Sequence, residues 1–177
     1  MKNTNHTEFW LRGPVSGVAP LLQPVAHALL QSELEVNELM AAFPDPLLWE
    51  RPGGVASPGF HLQHLAGVLS RLFTYARGHS LNEAQLADLA TEGAPAEGQS
   101  TVAQLLNRFN IQIDKALEAV AKTHEETLVN PRTVGRGKLP STVGGLLFHA
   151  AEHTQRHTGQ LLVTARILNP QLRQPMQ

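Results

Sequence analysis

The sequence predicts an all-α protein, a four-helix bundle with long inter-helix connectors. Apolar residues recur at three- and four-residue spacing in four long stretches, which is the period of a helix buried on one face. Aromatic residues make up only 5% of the 177 residues, and Leu, Ala and Val fill the apolar positions, which favours packed helices over a sheet sandwich. The connectors after the first two helices are long enough for a crossover, so a simple up-down order is not required.

The amino-acid composition excludes several classes of protein. Hydrophobic residues are 42% and charged residues 16% of the chain, which indicates one globular domain with a substantial core. The net charge of −1 and the absence of a basic stripe argue against nucleic-acid binding. The chain has no cysteine, which excludes disulfides, thiolate ligands and a cysteine nucleophile. No apolar run or leader pattern predicts a membrane span or a signal peptide, and we expect a cytoplasmic location.

The first helix follows a polar N-terminal arm, residues 1–17. Its apolar pattern begins near Val18–Leu21, and Pro20 and Pro24 are compatible only with its first turn or so. The helix must end by Phe43, which precedes a proline. Residues 44–57 are rich in proline and glycine and predict a loop, in which Trp49 is the one large apolar side chain.

The second helix is predicted from Ser57, an N-cap followed by a proline, to Gly78. Residues 79–100 form a connector with a short helix over 81–90. The third helix opens at Thr101, where Gln104 completes a capping box, and fades after about Lys122.

The fourth helix is predicted to begin after Pro140, with Ser141 or Thr142 as its cap, and to end by Asn169. The preceding residues 129–140 predict a basic loop, whose Arg132, Arg136 and Lys138 could bind a carboxylate but are better explained as solvated. The bundle domain therefore spans residues 18–168, and residues 169–177 form a C-terminal tail.

Three histidines recur every four residues on the fourth helix: His149, His153 and His157. Positions four apart lie about 5–6 Å from one another on one helix face, close enough for two imidazoles to bind one metal ion. All three span about 12 Å along the axis, so they cannot share one ion. On a helical wheel they share an arc with Leu146, Gln160, Thr164 and Ile167, which predicts that this face points into the bundle.

The second helix supplies two candidates for a further ligand, His61 and His64. The wheel places His61 nearer the apolar centre and His64 toward the edge, so periodicity alone slightly prefers His61. One imidazole from this helix would complete a three-histidine site with an open position, the arrangement of a catalytic metal centre.

The histidines are also compatible with a purely structural role, as polar core residues of an inert bundle. The run His149-Ala150-Ala151-Glu152-His153 matches the inverted zinc-protease motif, but the chain leaves little room for the distant third ligand. A di-iron bundle would need Glu-x-x-His pairs, and the sequence has none. Glu152 and Arg156 are expected to form a surface ion pair.

Two stretches resemble the DinB-like (DinB/YfiT-type) metalloenzyme family. One is the end of the Trp49 loop running into His61-Leu62-Gln63-His64-Leu65-Ala66. The other runs from Lys138 to Leu161 and contains His149-Ala150-Ala151-Glu152-His153-Thr154-Gln155-Arg156-His157-Thr158-Gly159-Gln160. With the spacing between them, the resemblance covers about residues 18–168.

The resemblance implies a bundle that is often dimeric and holds one divalent metal ion, typically zinc or nickel, on three histidines. Carried over by position, the ligands are His64, His153 and His157. This differs from the wheel's preference for His61, and we follow the family pattern. His61, His149 and Gln160 then become pocket or second-shell residues.

Family members and relatives include thiol-dependent S-transferases, so the resemblance implies an enzyme. We expect a metal-dependent thiol S-transferase that acts on small electrophiles through a metal-bound thiolate, with a small-molecule thiol and an electrophile as partners and a homodimer as the assembly. The alternative is a non-catalytic metal-binding stress or sensing protein. No residue is assigned as catalytic.

Overall fold

The computed structural model of the protein describes residues 7–173. The α-helices are α1 (Gln23–Met40), α2 (Pro58–Ala76), α3 (Glu83–Thr91), α4 (Val102–Ala121) and α5 (Val143–Leu168), and the strands are β1 (Pro131–Val134) and β2 (Leu139–Thr142). The four long helices form a bundle, and the two strands pair only with each other. The predicted all-α fold is confirmed.

The long helices are not arranged in chain order around the bundle. Helix α1 packs against α4 and α5, and α2 packs against the same two helices. Helices α1 and α2 therefore occupy opposite corners, and so do α4 and α5. The connectors from α1 to α2 and from α4 to α5 therefore cross the bundle diagonally, whereas the connector that contains α3 joins the neighbouring helices α2 and α4.

Side-chain caps start the helices where the sequence predicts them. The Ser57 hydroxyl accepts a hydrogen bond from the Phe60 amide at the start of α2. Thr101 and Gln104 form the predicted capping box of α4. Thr142, one of the two candidates for α5, is its cap and accepts from the Gly145 amide. These bonds satisfy amide groups that have no partner within the helix.

The predicted basic loop is a β-hairpin instead. Strands β1 and β2 pair antiparallel, with Pro131 opposite Thr142 and Val134 opposite Leu139. Each strand has only four residues and β2 contains a proline, so sequence alternation gave no signal. Arg132 donates from Nε to the carbonyl oxygen of Ala76 at 2.7 Å. It therefore caps the end of α2 and ties the hairpin to the bundle.

The face of α5 that points into the bundle overlaps only in part with the one the wheel predicted, of which Leu146 and Thr164 are buried. Ala150, Thr154 and Thr158 are buried, whereas His149 and Gln160 are exposed. Small side chains let α5 approach its neighbours closely, so the buried face is centred on them. A wheel weighted by hydrophobicity overlooks such residues. The histidine ladder consequently lies at the edge of the interface between α5 and α2.

The Trp49 loop is fixed against the first turn of α2. The Gly59 amide donates to the Leu48 carbonyl at 2.7 Å. A Cβ atom on Gly59 would come within 2.7 Å of the Trp49 ring, so only glycine permits this contact. The loop thereby sets the position of the turn that precedes His61 and His64.

Residues before α1 also contact the bundle where they are described. The Phe9 amide donates to the Gln31 side chain on α1 at 3.0 Å. The predicted arm, residues 1–17, and tail, residues 169–177, extend beyond the described range at both ends, and their boundaries stay predictions. Among residues 7–173, no helix is both long and apolar enough to cross a membrane.

Candidate metal centre

Three histidines from two helices meet at the edge of the interface between α2 and α5. Each of His64, His153 and His157 offers a ring nitrogen, and these atoms all lie within 4.8 Å of one another. Nε2 of His64 is 2.9 Å from Nε2 of His153. The side chains are partly buried, which leaves one side of the cluster accessible. These are the three residues predicted as ligands from the resemblance.

A second group of potential ligands lies one turn along α5 and consists of His149, Glu152 and His153. The His149 side chain is 49% exposed, and its Nδ1 is 3.3 Å from a Glu152 oxygen. The other Glu152 oxygen forms the predicted ion pair with Arg156. Because Arg156 already neutralises this carboxylate and His153 is shared, the second group is the weaker site for a cation.

His61 is the buried histidine of α2, as the wheel predicted, but it lies beside the cluster. Its exposure is only 3%, and its Nδ1 is 3.1 Å from Nδ1 of His157. One of these two nitrogens must donate the hydrogen bond and the other accept it. When Nδ1 of His157 is the donor, the lone pair of its neutral ring is on Nε2, which can then bind a metal ion. His61 thus supports His157, whereas His149 and Gln160 lie outside the bundle interior.

Sequence reasoning missed Glu92, the residue that ends α3. Its Oε2 is 2.8 Å from Nδ1 of His64, and its Oε1 accepts from Nη1 of Arg71 at 2.5 Å. Arg71 lies seven residues after His64, on the same face of α2, and is buried. A cationic side chain on an otherwise apolar face requires an anionic partner, so Arg71 was the available signal.

The His64 ring is fixed from both its edge and its face. Phe60, one turn earlier on α2, stacks on it with the ring centroids 5.2 Å apart and the planes 13° from parallel. Glu92 accepts the proton on Nδ1, so the lone pair of the neutral ring is on Nε2, which faces the cluster. His64 is therefore oriented as a ligand before any ion binds.

The surroundings of His61, His153 and His157 favour their neutral forms. Burial, with the adjacent His64, lowers the pKa of His61 to about 4. Burial and the neighbouring histidines lower the pKa of His157 to about 3, and the same causes lower the pKa of His153. For Glu92, burial would raise the pKa, but hydrogen bonds from His64 and Arg71 outweigh it and the net shift is downward. Neutral imidazoles beside an ionised carboxylate form a suitable environment for a cation.

The donor set fits a divalent metal ion. Two imidazole nitrogens at 2.9 Å can be joined by only one proton, and a third nitrogen converges on the same place. Neutral imidazole is a common ligand of zinc, nickel, copper and iron. Nδ1 of His153 is buried and has no hydrogen-bond partner among the described residues, so this ring lacks a hydrogen bond on the side away from His64. The cluster could hold a metal ion, although the ligand set itself remains a prediction.

A groove adjoins the cluster on the side of His61. Its volume is about 630 Å³. Its walls are largely apolar, and its lining consists of Pro52, Val55, Ala56, His61, Arg156, Gly159, Gln160, Val163, Thr164 and Ile167. Predicted pocket residues His61 and Gln160 lie in this groove, and His149 is not among its lining residues. Apolar walls with a few polar groups are typical of a small-molecule site.

Comparison with protein-family models yields a match over most of the chain. The sequence model of a family described as the DinB superfamily matches residues 28–161, which is well over half of the chain. The matched region includes the five histidines of α2 and α5 and the carboxylate of Glu92. Comparison with curated protein sequences finds no match.

Proposed function

Because this chain belongs to the DinB superfamily, we propose that it is a metal-dependent enzyme that transfers a low-molecular-weight thiol to small electrophiles. The single observation that carries the proposal is the convergence of His64, His153 and His157 at one accessible place. Three protein ligands leave a coordination position open, as in catalytic metal sites. In this proposal the cluster holds one divalent ion, zinc or nickel, and the protein acts in the cytoplasm.

The chemistry follows from the residues around the cluster. A bound divalent cation would lower the pKa of a thiol and so favour its nucleophilic thiolate form at neutral pH. His153 and His157, whose pKa values are lowered by burial and by neighbouring histidines, add no positive charge of their own, while ionised Glu92 fixes His64. The sulfur then forms a bond to carbon, the leaving group departs with its bonding electrons, and the thiol proton passes to solvent. The absence of cysteine from the chain agrees with a nucleophile supplied by the cosubstrate.

The groove beside His61 is the proposed binding place for the electrophile. A volume of about 630 Å³ lies within the usual range for small-molecule sites, roughly 300–1,000 Å³. Val163 and Ile167 give its wall an apolar surface, whereas Gln160 and His61 can form hydrogen bonds with a polar group of the substrate. An electrophile bound there would lie beside His61, whose ring contacts His157 of the cluster.

Metal stoichiometry tests the ligand set with matched histidine variants. We expect one zinc or nickel ion per wild-type chain, and at least a tenfold loss of affinity in His64→Ala and His157→Ala, since each removes one of three ligands. His149→Ala is the control, because His149 belongs only to the second group on α5. Unchanged binding in His157→Ala with loss in His149→Ala would assign the metal to the second group. His153→Ala should lose the ion in either case.

Turnover is tested with the metal-loaded protein, a panel of low-molecular-weight thiols and a chromogenic electrophile. The rate should depend on the metal, fall to background in His157→Ala and persist in His149→Ala. Full metal occupancy without turnover for any thiol would contradict the transferase proposal and support the alternative, a non-catalytic metal-binding stress or sensing protein. A wild-type chain that binds no metal would leave only an inert bundle.

A further inference from the structure

Residues 92–94, here called the 92–94 segment, lie directly against the outer edge of α2. The buried Gln63 side chain holds this segment by two hydrogen bonds. Its Oε1 accepts from the Gly93 amide at 2.8 Å, and its Nε2 donates to the Ala94 carbonyl at 2.9 Å. Gln63 is only 2% exposed, so these bonds are shielded from water. Gln63 immediately precedes His64 in the chain. Its two hydrogen bonds therefore fix the backbone that follows Glu92 against the turn of α2 that carries His64.

Glu92 uses both carboxylate oxygens on α2. One oxygen accepts from Nδ1 of His64 at 2.8 Å, and the other accepts from Nη1 of Arg71 at 2.5 Å. The Glu92 and Arg71 side chains are each 10% exposed. A buried carboxylate is costly unless it is paired and hydrogen-bonded, and here both conditions are met. Arg71 therefore holds the carboxylate in the orientation in which it contacts His64.

Gly67 has no side chain, which leaves room against α2 for the ion pair between Glu92 and Arg71. A Cβ atom at this position would be 2.4 Å from Oε1 of Glu92 and 2.6 Å from Nη1 of Arg71. Any larger residue would have to displace one of the two side chains. A glycine inside a helix otherwise costs roughly 0.5–1 kcal/mol relative to alanine. Close approach of the ion pair to α2 is a reason for glycine here.

The other two histidines of the cluster lack such support. Nδ1 of His153 has no hydrogen-bond partner among residues 7–173, and Nδ1 of His157 contacts only the neutral ring of His61. His64 is the one member held by an ionised group. A carboxylate on the outer nitrogen of a ligating histidine fixes its tautomer and raises its basicity.

We propose that Glu92 is a positioning residue for metal binding, held by Arg71 and by the contact of Gln63 with the 92–94 segment, and acting through His64. This inference rests on the proposed function, because it requires that His64 be a metal ligand. Glu92 contacts Nδ1 of His64 and Arg71, and neither Glu92 nor Arg71 lines the groove beside His61. Their effect is on the affinity and geometry of the metal site, and substrate contacts are left unchanged.

Metal affinity measured by competition with a chromophoric chelator tests the proposal at constant pH. Glu92→Gln should weaken zinc binding about tenfold and Glu92→Ala by up to about a hundredfold, the usual range for a carboxylate behind a ligating histidine. Glu152→Gln is the matched control, because Glu152 is also a carboxylate near a histidine but contacts His149. It should bind zinc within about twofold of wild type.

A double-mutant cycle tests the path through the 92–94 segment. Gln63→Met removes both hydrogen bonds to the segment but leaves every histidine and Glu92 in place. It should weaken zinc binding in the wild-type background and have little further effect in the Glu92→Gln background. Cobalt-substituted protein should show a shifted visible spectrum in Glu92→Gln and Gln63→Met, and the wild-type spectrum in Glu152→Gln.

Gly67→Ala displaces the ion pair without changing any histidine or Glu92 itself. The added Cβ atom would overlap Glu92 and Arg71, so zinc binding should weaken severalfold, and the metal-free protein should also lose thermal stability because a buried ion pair is disturbed. Wild type that binds zinc together with Glu92 variants that bind equally well, within about twofold, would overturn this inference alone. Wild type that binds neither zinc nor nickel would overturn the proposed function and this inference together.

Discussion

At the scale of single residues, the histidines of α2 and α5 differ in the hydrogen-bond partners and ring contacts that surround each imidazole. His64 has its outer nitrogen on Glu92 and its face on Phe60. His157 has its outer nitrogen on His61, and Nδ1 of His153 has no partner among the described residues. His149, four residues before His153, is half exposed and pairs with Glu152. The same residue type thus takes four roles within about two turns of α5 and one turn of α2.

The lowered pKa values of the histidines predict a pH dependence of stability for the metal-free protein. Folding lowers the pKa of His61 from 6.5 to about 4 and that of His157 from 6.5 to about 3. Below pH 6.5 the unfolded chain therefore binds more protons than the folded chain, and the free energy of unfolding falls as the pH decreases. Above pH 6.5 these two groups contribute no pH dependence.

Urea unfolding in the presence of a chelator measures this effect between pH 7.5 and pH 5.5, a window above the range in which carboxylates titrate. His61→Gln should show a shallower loss of stability across that window than wild type, because one of the groups is gone. His149→Ala, which changes an exposed ring, should follow wild type. Equal slopes in wild type and His61→Gln would contradict the assignment.

At the scale of elements, α2 organises the site. Its first turn is fixed by Ser57 and by the Trp49 loop, its middle presents His61 and His64, and its outer edge carries the 92–94 segment. The hairpin is attached to its C-terminal end through Arg132. Any shift of α2 along its axis would move His64 relative to the two histidines of α5.

Two helical glycines give opposite predictions for substitution by alanine. Gly59→Ala should destabilise the protein by about 1–3 kcal/mol, because the added methyl group overlaps the Trp49 ring in a buried contact. Gly159→Ala should stabilise it by roughly 0.5–1 kcal/mol, since a Cβ atom there meets nothing within 4 Å and helix propensity improves. Chemical denaturation of both variants checks the pair. A neutral or stabilising Gly59→Ala would show that the Trp49 contact does not restrict this position.

At the scale of the whole molecule, the diagonal connections place α2 next to α5, although α4 separates them in the chain. The metal cluster depends on this neighbour relation. Several large apolar side chains remain exposed on the surface, among them Phe148 on α5, which is 67% exposed. Aromatic side chains are enriched at the centres of protein–protein interfaces, which makes Phe148 the position at which to test association.

We propose that the chain forms a homodimer through a surface that includes Phe148. Sedimentation analysis should give the mass of two chains for wild type and shift toward one chain in Phe148→Glu. Ile111→Glu is the control, because Ile111 is an exposed apolar residue of α4, on a different helix. A wild-type monomer at micromolar concentration would refute the dimer, and dissociation by Ile111→Glu alone would place the interface on α4.

The sequence by itself determined the helical elements and identified the histidines of α2 and α5 as candidate metal ligands. Their boundaries follow from local signals such as the Thr101 capping box, because helix caps and apolar periodicity depend only on residues within a few positions. The two histidine-bearing helices could be identified in the same way. The family pattern then named His64 where the wheel slightly preferred His61.

Only the tertiary structure decided how those elements meet. The buried face of α5 is centred on Ala150 and Thr154, and packing against two neighbours set it where hydrophobic periodicity could not. The hairpin over 131–142 exists because strand pairing and Arg132 fix it to the bundle. Glu92 reaches His64 from 28 residues away through Arg71 and Gln63. Such contacts join residues distant in the chain, and their energy depends on burial, which no local pattern records.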